Sequence, residues 1–177
     1  GPPSDINPKI LVDLLHLESQ IRASQNVKEL SFLLANETRR LVGFRQAFLV
    51  SINQAQPQPC RIEAVSSVAV LDRQAPMIKW MEKVLRHLWA KQVLQSPCHV
   101  ESSRIPQEWQ SDWKRFSFSH VLWCPLRWGN SRIVAGIWLA RETPWQEGEE
   151  QLIRRLADTA AHAWQVLQPS TSRAGRW

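Results

Sequence analysis

Cys98 and His99 stand next to each other, and Cys60 and Cys124 bring the thiols to three. A thiol beside an imidazole can serve thiolate chemistry or metal ligation, and each needs more than the pair. A zinc site takes three or four convergent ligands. Thiol redox chemistry takes a low-pKa attacking thiol and a resolving partner. The three cysteines are odd in number, widely spaced and without a CxxC, which fits free thiols in a reducing compartment. The five histidines lack a spaced acidic partner, and no HExxH, GxSxG or phosphate-cradling glycine-rich loop occurs. Neither a metal nor a catalytic constellation is expected.

The second chemical feature is ten tryptophans against no tyrosine. Trp80, Trp89, Trp109, Trp113, Trp123 and Trp138 fall in a helix, an irregular crossover and two strands. They are either core anchors, each burying a large apolar area, or the walls of a slot for a small ligand or peptide. Strand alternation assigns Trp123 and Trp138 to the core. Trp109 and Trp113, in the irregular part, stay open to ligand or partner contact. Arg61, Arg127 and His120 are candidate polar anchors.

The net charge of +6 admits an anionic partner. The excess is scattered, however, with no dense Lys/Arg run and no aromatic-basic repeat, so nucleic-acid binding is not expected. No apolar run approaches the roughly 18 residues of a membrane span, and no signal-peptide pattern is present.

These residues must be positioned by a definite set of elements. Asn7-Pro8 reads as an N-cap with Pro at the first helical position. Ile10, Leu14, Leu17 and Ile21 then form one apolar stripe. Asn26 caps a second helix, with Glu29 as the capping-box partner and Gly43 as a stop. Gln46 to Ile52 and Arg61 to Ser67 read as strands, and Ala75 to Gln92 as a helix. Residues 93–118 are irregular, with a short helix around Pro106 to Trp113. Strands follow at 120–128 and 132–141 about a Gly129-Asn130 turn. Glu147, Glu149 and Glu150 open a final helix where its dipole favours acid, and Leu156 and Ala160 lie on that helix's stripe. The pattern is α+β with a central antiparallel sheet. The terminal helices are expected to pack together on one face, or against copies of themselves in a dimer, through Ile10, Leu14, Leu17, Ile21, Leu156 and Ala160.

The stretch HVLWCPLRWGNSRIVAGIWLARETPWQEGEEQLIRRLADTAAHAW, residues 120–164, resembles the C-terminal half of a GAF domain. The features that carry the likeness are the Cys124-Pro125-Leu126 step, Gly136 inside the second strand, and the Gly148-Glu149-Glu150 start of a Leu/Ala-rich helix. The layout of the N-terminal half agrees, so the resemblance spans about 10–168. ANETRRLVGFRQAFLVSI, RQAPMIKWMEKVLRHL and ADTAAHAW are similar to a GAF-type module at the cytoplasmic N-terminus of some bacterial membrane-fusion (periplasmic adaptor) proteins. That likeness implies a following membrane segment, for which the Arg173–Trp177 end suits a juxtamembrane position.

Within the GAF resemblance, Cys98-His99 matches the bilin-attaching pair of phytochromes. The accompanying DIP-like motif and tyrosines are missing, as is the NKFDE signature of cyclic-nucleotide binders. Free methionine sulfoxide reductases are also GAF-like, but their Gly- and Cys-containing loop is not present. The expectations are then these. Residues 1–6 are a tag remnant or extended start, 7–168 one GAF-like domain, and 169–177 a flexible basic tail. The domain is a non-enzymatic cytoplasmic sensory or regulatory module that binds a small molecule or a partner protein and signals through its terminal helices. Its candidate pocket comprises Trp80, Trp89, Cys98, His99, Trp109, Trp113, His120 and Arg127. The alternative is a pocketless docking or dimerisation module, and a third reading is a thiol redox enzyme. A tryptophan-plugged cavity with an exposed apolar stripe on the first helix would favour the docking module.

Overall fold

The computed structural model describes residues 7–168; the two expected end segments, 1–6 and 169–177, lie outside them. Helix α1 spans Pro8–Ala23, and the Asn7 side chain accepts the Lys9 N–H at 2.9 Å, as the N-cap sequence requires. Helix α2 spans Val27–Glu37, capped by Asn26 through the Glu29 N–H at 2.8 Å. Glu29 does reach back, but to the N–H of Gln25 at 3.3 Å rather than to the cap residue itself. Gly43 is not the helix stop. The helix yields to a tighter turn at Thr38–Arg40, where the buried Thr38 hydroxyl donates to the Leu34 carbonyl at 2.6 Å.

Five strands follow: β1 Gln46–Ile52, β2 Cys60–Val65, β3 Cys98–Val100, β4 His120–Trp128 and β5 Arg132–Arg141. They form one antiparallel sheet in the order β2-β1-β5-β4-β3. Strand β2 ends two residues early because Ser66 turns to bond β1, its hydroxyl accepting from the Ala47 N–H at 2.9 Å. The β4–β5 loop runs over three residues, with Gly129 at φ +69°. Strand β3 arises in the segment read as irregular. It is three residues long and pairs Cys98, His99 and Val100 with Trp123, Leu122 and Val121.

The remaining helices are α3 Pro76–Ala90, the short α4 Gln107–Gln110 and α5 Trp113–Phe116, and α6 Glu147–Leu167. They sort to two sides of the sheet. On one side α1, α2 and α6 cover Leu49, Leu122, Cys124, Leu126, Ile137 and Leu139. On the other, α3 to α5 cover Phe48, Val50, Ile62, Trp123 and Trp138. Alternate residues of each strand feed alternate layers, as the strand's period of two demands.

Leu14, Leu17, Ile21, Leu156 and Ala160 are buried in the core of the single chain, and Ile10 is half-buried against it. Helices α1 and α6 are also tied by a buried carboxylate. Glu18 accepts from Arg155 at 3.1 and 3.3 Å and from the Thr159 hydroxyl. Helix α6 starts in a reciprocal Gln146/Glu149 capping box, and Arg141 grips Glu149 with two nitrogens at 2.9 and 2.5 Å. Among the described residues no helix is long and apolar enough to cross a membrane.

Candidate functional site

The sheet face under α3 is where the expected pocket residues were to converge. Trp123 on β4 and Trp138 on β5 are registered partners, so their side chains leave the same face. Their ring centroids lie 6.5 Å apart at 64°. Trp113 from α5 meets Trp138 edge-on at 5.8 Å, and Trp80 from α3 meets Trp113 at 6.1 Å and Phe116 at 5.5 Å. These are the tilted geometries that ring quadrupoles favour. All four tryptophans are at most 4% exposed, so indole rings occupy the layer between α3 and the sheet.

Gly136 explains how so large a ring fits. A Cβ at that position would lie 2.0 Å from the Trp123 ring, so the glycine of the Gly-containing strand is the seat of an indole. Trp123 is then locked by donating its Nε1–H to the Leu94 carbonyl at 2.9 Å, and Trp80 by donating to the Trp109 carbonyl at 3.0 Å. The Trp138 Nε1 is buried without a partner.

The rest of the expected pocket disperses. Cys98 packs toward the α3 side, whereas His99 is half-exposed and its Nε2 lies 3.0 Å from Glu150 at the start of α6. Adjacent residues of a strand point to opposite faces, yet on this three-residue edge strand both still border one shallow depression of about 310 Å³, with Gln92, Val93, Glu101 and Arg104. Trp89 is half-buried at the end of α3. Trp109, also half-buried, has His87 against its ring at 5.6 Å and the Lys83 ammonium 4.8 Å above it. His120 contributes only its carbonyl, which accepts from Trp145 at 3.3 Å. Arg127 is exposed and donates to the Gln95 carbonyl, and the exposed Arg61 lies on β2 beside Glu63. Trp113 reaches a surface depression of about 430 Å³, shared with Ser102, Gln110, Ser111, Lys114 and Ser119. The eight candidates do not form one site.

The thiols are also tuned against reaction. Burial pushes Cys60 and Cys124 up to about 12 and raises Cys98, the nearby Arg104 only partly opposing the last. All three are free. A nucleophilic or redox thiol needs the opposite environment. Among the described residues no three metal-ligating side chains come together.

What the sequence reading missed is on the surface. Leu11, Val12 and Leu15 are 44, 52 and 60% exposed on the outer side of α1, off the buried stripe, and Phe32 is 48% exposed on α2. Their signal was present in the residues: α1 has more apolar positions than one stripe accounts for.

No protein-family model and no curated protein sequence matches the chain. Solved structures do match it in three dimensions. The GAF domain of an Acinetobacter phosphoenolpyruvate-protein phosphotransferase aligns at TM-score 0.61 and 10% identity over 91% of this chain and 95% of that one. This chain has a GAF fold. The chromophore-binding domain of an R. palustris bacteriophytochrome aligns at 0.67 and 10% identity, over 95% of this chain and 64% of its own. A methyl-accepting chemotaxis protein segment aligns at 0.61 and 16%, over 86% and 99%. At such identities the GAF architecture is shared, while the side chains that fill it are this chain's own.

Proposed function

We propose that the chain is a non-catalytic regulatory module of GAF fold that docks a protein partner through the outward face of α1, its interior being filled by its own tryptophans. The observation that carries this reading is the packed layer of Trp80, Trp113, Trp123 and Trp138. A layer of interlocked indoles has no room for a guest. The exposed Leu11, Val12 and Leu15 supply the contact surface. A partner seated on α1 bears on α6 through Glu18, Arg155 and Thr159, and from α6 on the chain beyond residue 168. For that contact to signal, the partner must prefer one of two helix arrangements.

The resemblance of the segments quoted above supports placing the module in the bacterial cytoplasm, at the N-terminus of a membrane-fusion-type protein. The membrane would then be reached only through a segment outside these 177 residues. The partner is a protein, a second copy of the chain included.

A small-molecule sensor is the second reading, favoured by one observation: the unpartnered Trp138 Nε1 in the α3-side core. Trp113, on a four-residue helix, lies between that group and the depression at the surface. Native mass spectrometry of protein purified from its own source separates the two. Docking predicts complexes or dimers that disappear in Leu11→Glu/Leu15→Glu, with no small-molecule adduct. A stoichiometric adduct in the wild type, unaffected by that pair, would establish the sensor instead.

A further inference from the structure

At the far end of the sheet, on the side covered by α1, α2 and α6, the helices stop short and leave an open groove of about 840 Å³. Its volume is that of a small-molecule site. Its walls are the α1–α2 junction, the β1–β2 loop, the start of β5 and the end of α6, and no tryptophan lines it. Asparagine and glutamine dominate the lining, and the chemistry they present is set by which end of each amide is already in use.

Asn26 accepts the Glu29 N–H at 2.8 Å, Asn53 the Ala55 N–H at 3.1 Å, and Gln54 the Ile133 N–H at 3.2 Å. Gln58 accepts from the Arg86 guanidinium at 2.8 Å. Each partner is an obligate donor, so in all four amides the oxygen is engaged by the chain and the NH2 is the end left wholly free. Of the other three amides in the lining, Gln25 donates its NH2 to the Ala23 carbonyl at 3.4 Å, and Gln56 and Gln168 complete the set. Arg61 and Arg132 add guanidinium donors to the same groove. The one carboxylate there, Glu63, is engaged by the Ser51 hydroxyl at 2.7 Å and lies 3.9 Å from Arg61. Arg132 has no carboxylate within ion-pair distance among the described residues. Two cations against one carboxylate leave a formal charge of +1.

We infer that this groove is a binding site for a small organic oxyanion, a molecule carrying several carboxylate or phosphate oxygens. Asn26, Asn53, Gln54 and Gln58 donate neutral hydrogen bonds, and Arg132 and Arg61 supply the charge-assisted ones. A saccharide finds no aromatic platform. The site lies on the opposite side of the sheet from the tryptophan layer and is independent of what docks on α1.

The test titrates the full chain with citrate, with glycerol 3-phosphate and with glycerol, reading the side-chain NH2 resonances of Asn53 and Gln54 by NMR. Saturable shifts with citrate or the phosphate ester, and none with glycerol, are expected, and whichever anion binds more tightly identifies the oxygen source. Gln54→Glu/Gln58→Glu keeps both accepting oxygens while removing two donors and adding charge. It should weaken binding at least tenfold with the Ile133 amide resonance in place, and Arg132→Gln should do likewise. No saturable shift with either anion would overturn the inference. So would unchanged affinity in the double variant, or the same shifts from sodium chloride at matched ionic strength.

Discussion

The two sides of the sheet are packed with different mixtures of side chain. Under α3 the layer is thick and aromatic, and Gly136 gives up its side chain to admit one more indole. Under α1 and α6 it is thinner: Ala157, Ala160, Ala161 and Ala163 let α6 lie close on aliphatic strand residues, with Trp145 and Trp164 as its buried indoles. The thick side is closed, with the ring N–H groups of Trp80 and Trp123 tied to backbone carbonyls. The thin side ends before the sheet does, and its outermost helix carries apolar residues into solvent. The fold's interior is spent on stability, and the surfaces left for recognition are the back of α1 and the open sheet end.

The sharpest attack on this contrast is Trp123→Ala. It removes a fully buried ring and its bond to Leu94, and should cost about 3–5 kcal/mol of unfolding free energy. Gly136→Ala comes next, at about 1–3 kcal/mol or more, because the new methyl overlaps the ring. The two should couple: in the Trp123→Leu background the alanine should cost far less, a non-additivity that urea unfolding of the four proteins measures. If Gly136→Ala is neutral in the wild type, the ring is not seated there.

On the thin side the effects are smaller. Burial alone would raise the Glu149 carboxyl, but its bonds to Arg141 and to the Gln146 N–H hold it below its ordinary 4.5. A depressed carboxyl stabilises the fold above the unfolded-state value, and that stability fades as pH falls through the folded-state value. Arg141→Gln should therefore cost on the order of 1 kcal/mol more at pH 7 than at pH 3, where only its bonds to the Gly43, Thr143 and Pro144 carbonyls remain to be lost, as paired urea melts would show. Leu15→Ser should change stability by less than about 0.5 kcal/mol, since the side chain is already in water, while abolishing partner binding. Thiol labelling completes the contrast: half-buried Cys98 should react with a disulfide reagent first, with Cys60 and Cys124 protected until the protein unfolds.

The parts readable from the sequence were those fixed by near neighbours. Asn7-Pro8 and Asn26 announce helix starts because a cap needs only the next three residues, and β4 and β5 announce themselves by length and alternation. Strand β3 did not, because three residues carry no period and their pairing is conferred by β4. The surroundings of Cys98-His99 were not legible for a related reason. Sequence adjacency places them together, and they do border one shallow depression, but the strand they form sends the thiol to the α3 layer and the imidazole to Glu150. The oxyanion groove had no local signature either, since Asn26, Gln54 and Arg132 meet only across the fold and their free ends depend on backbone donors that only the fold supplies.

The central claim is that the interior is full. Crystals of the wild type and of Trp113→Ala, held under xenon pressure, test it most directly, since xenon enters dry apolar cavities and leaves packed cores alone. No xenon is expected between α3 and the sheet in the wild type, and an ordered atom is expected in the space the variant vacates. Xenon or a copurified small molecule in that layer of the wild-type protein would contradict it.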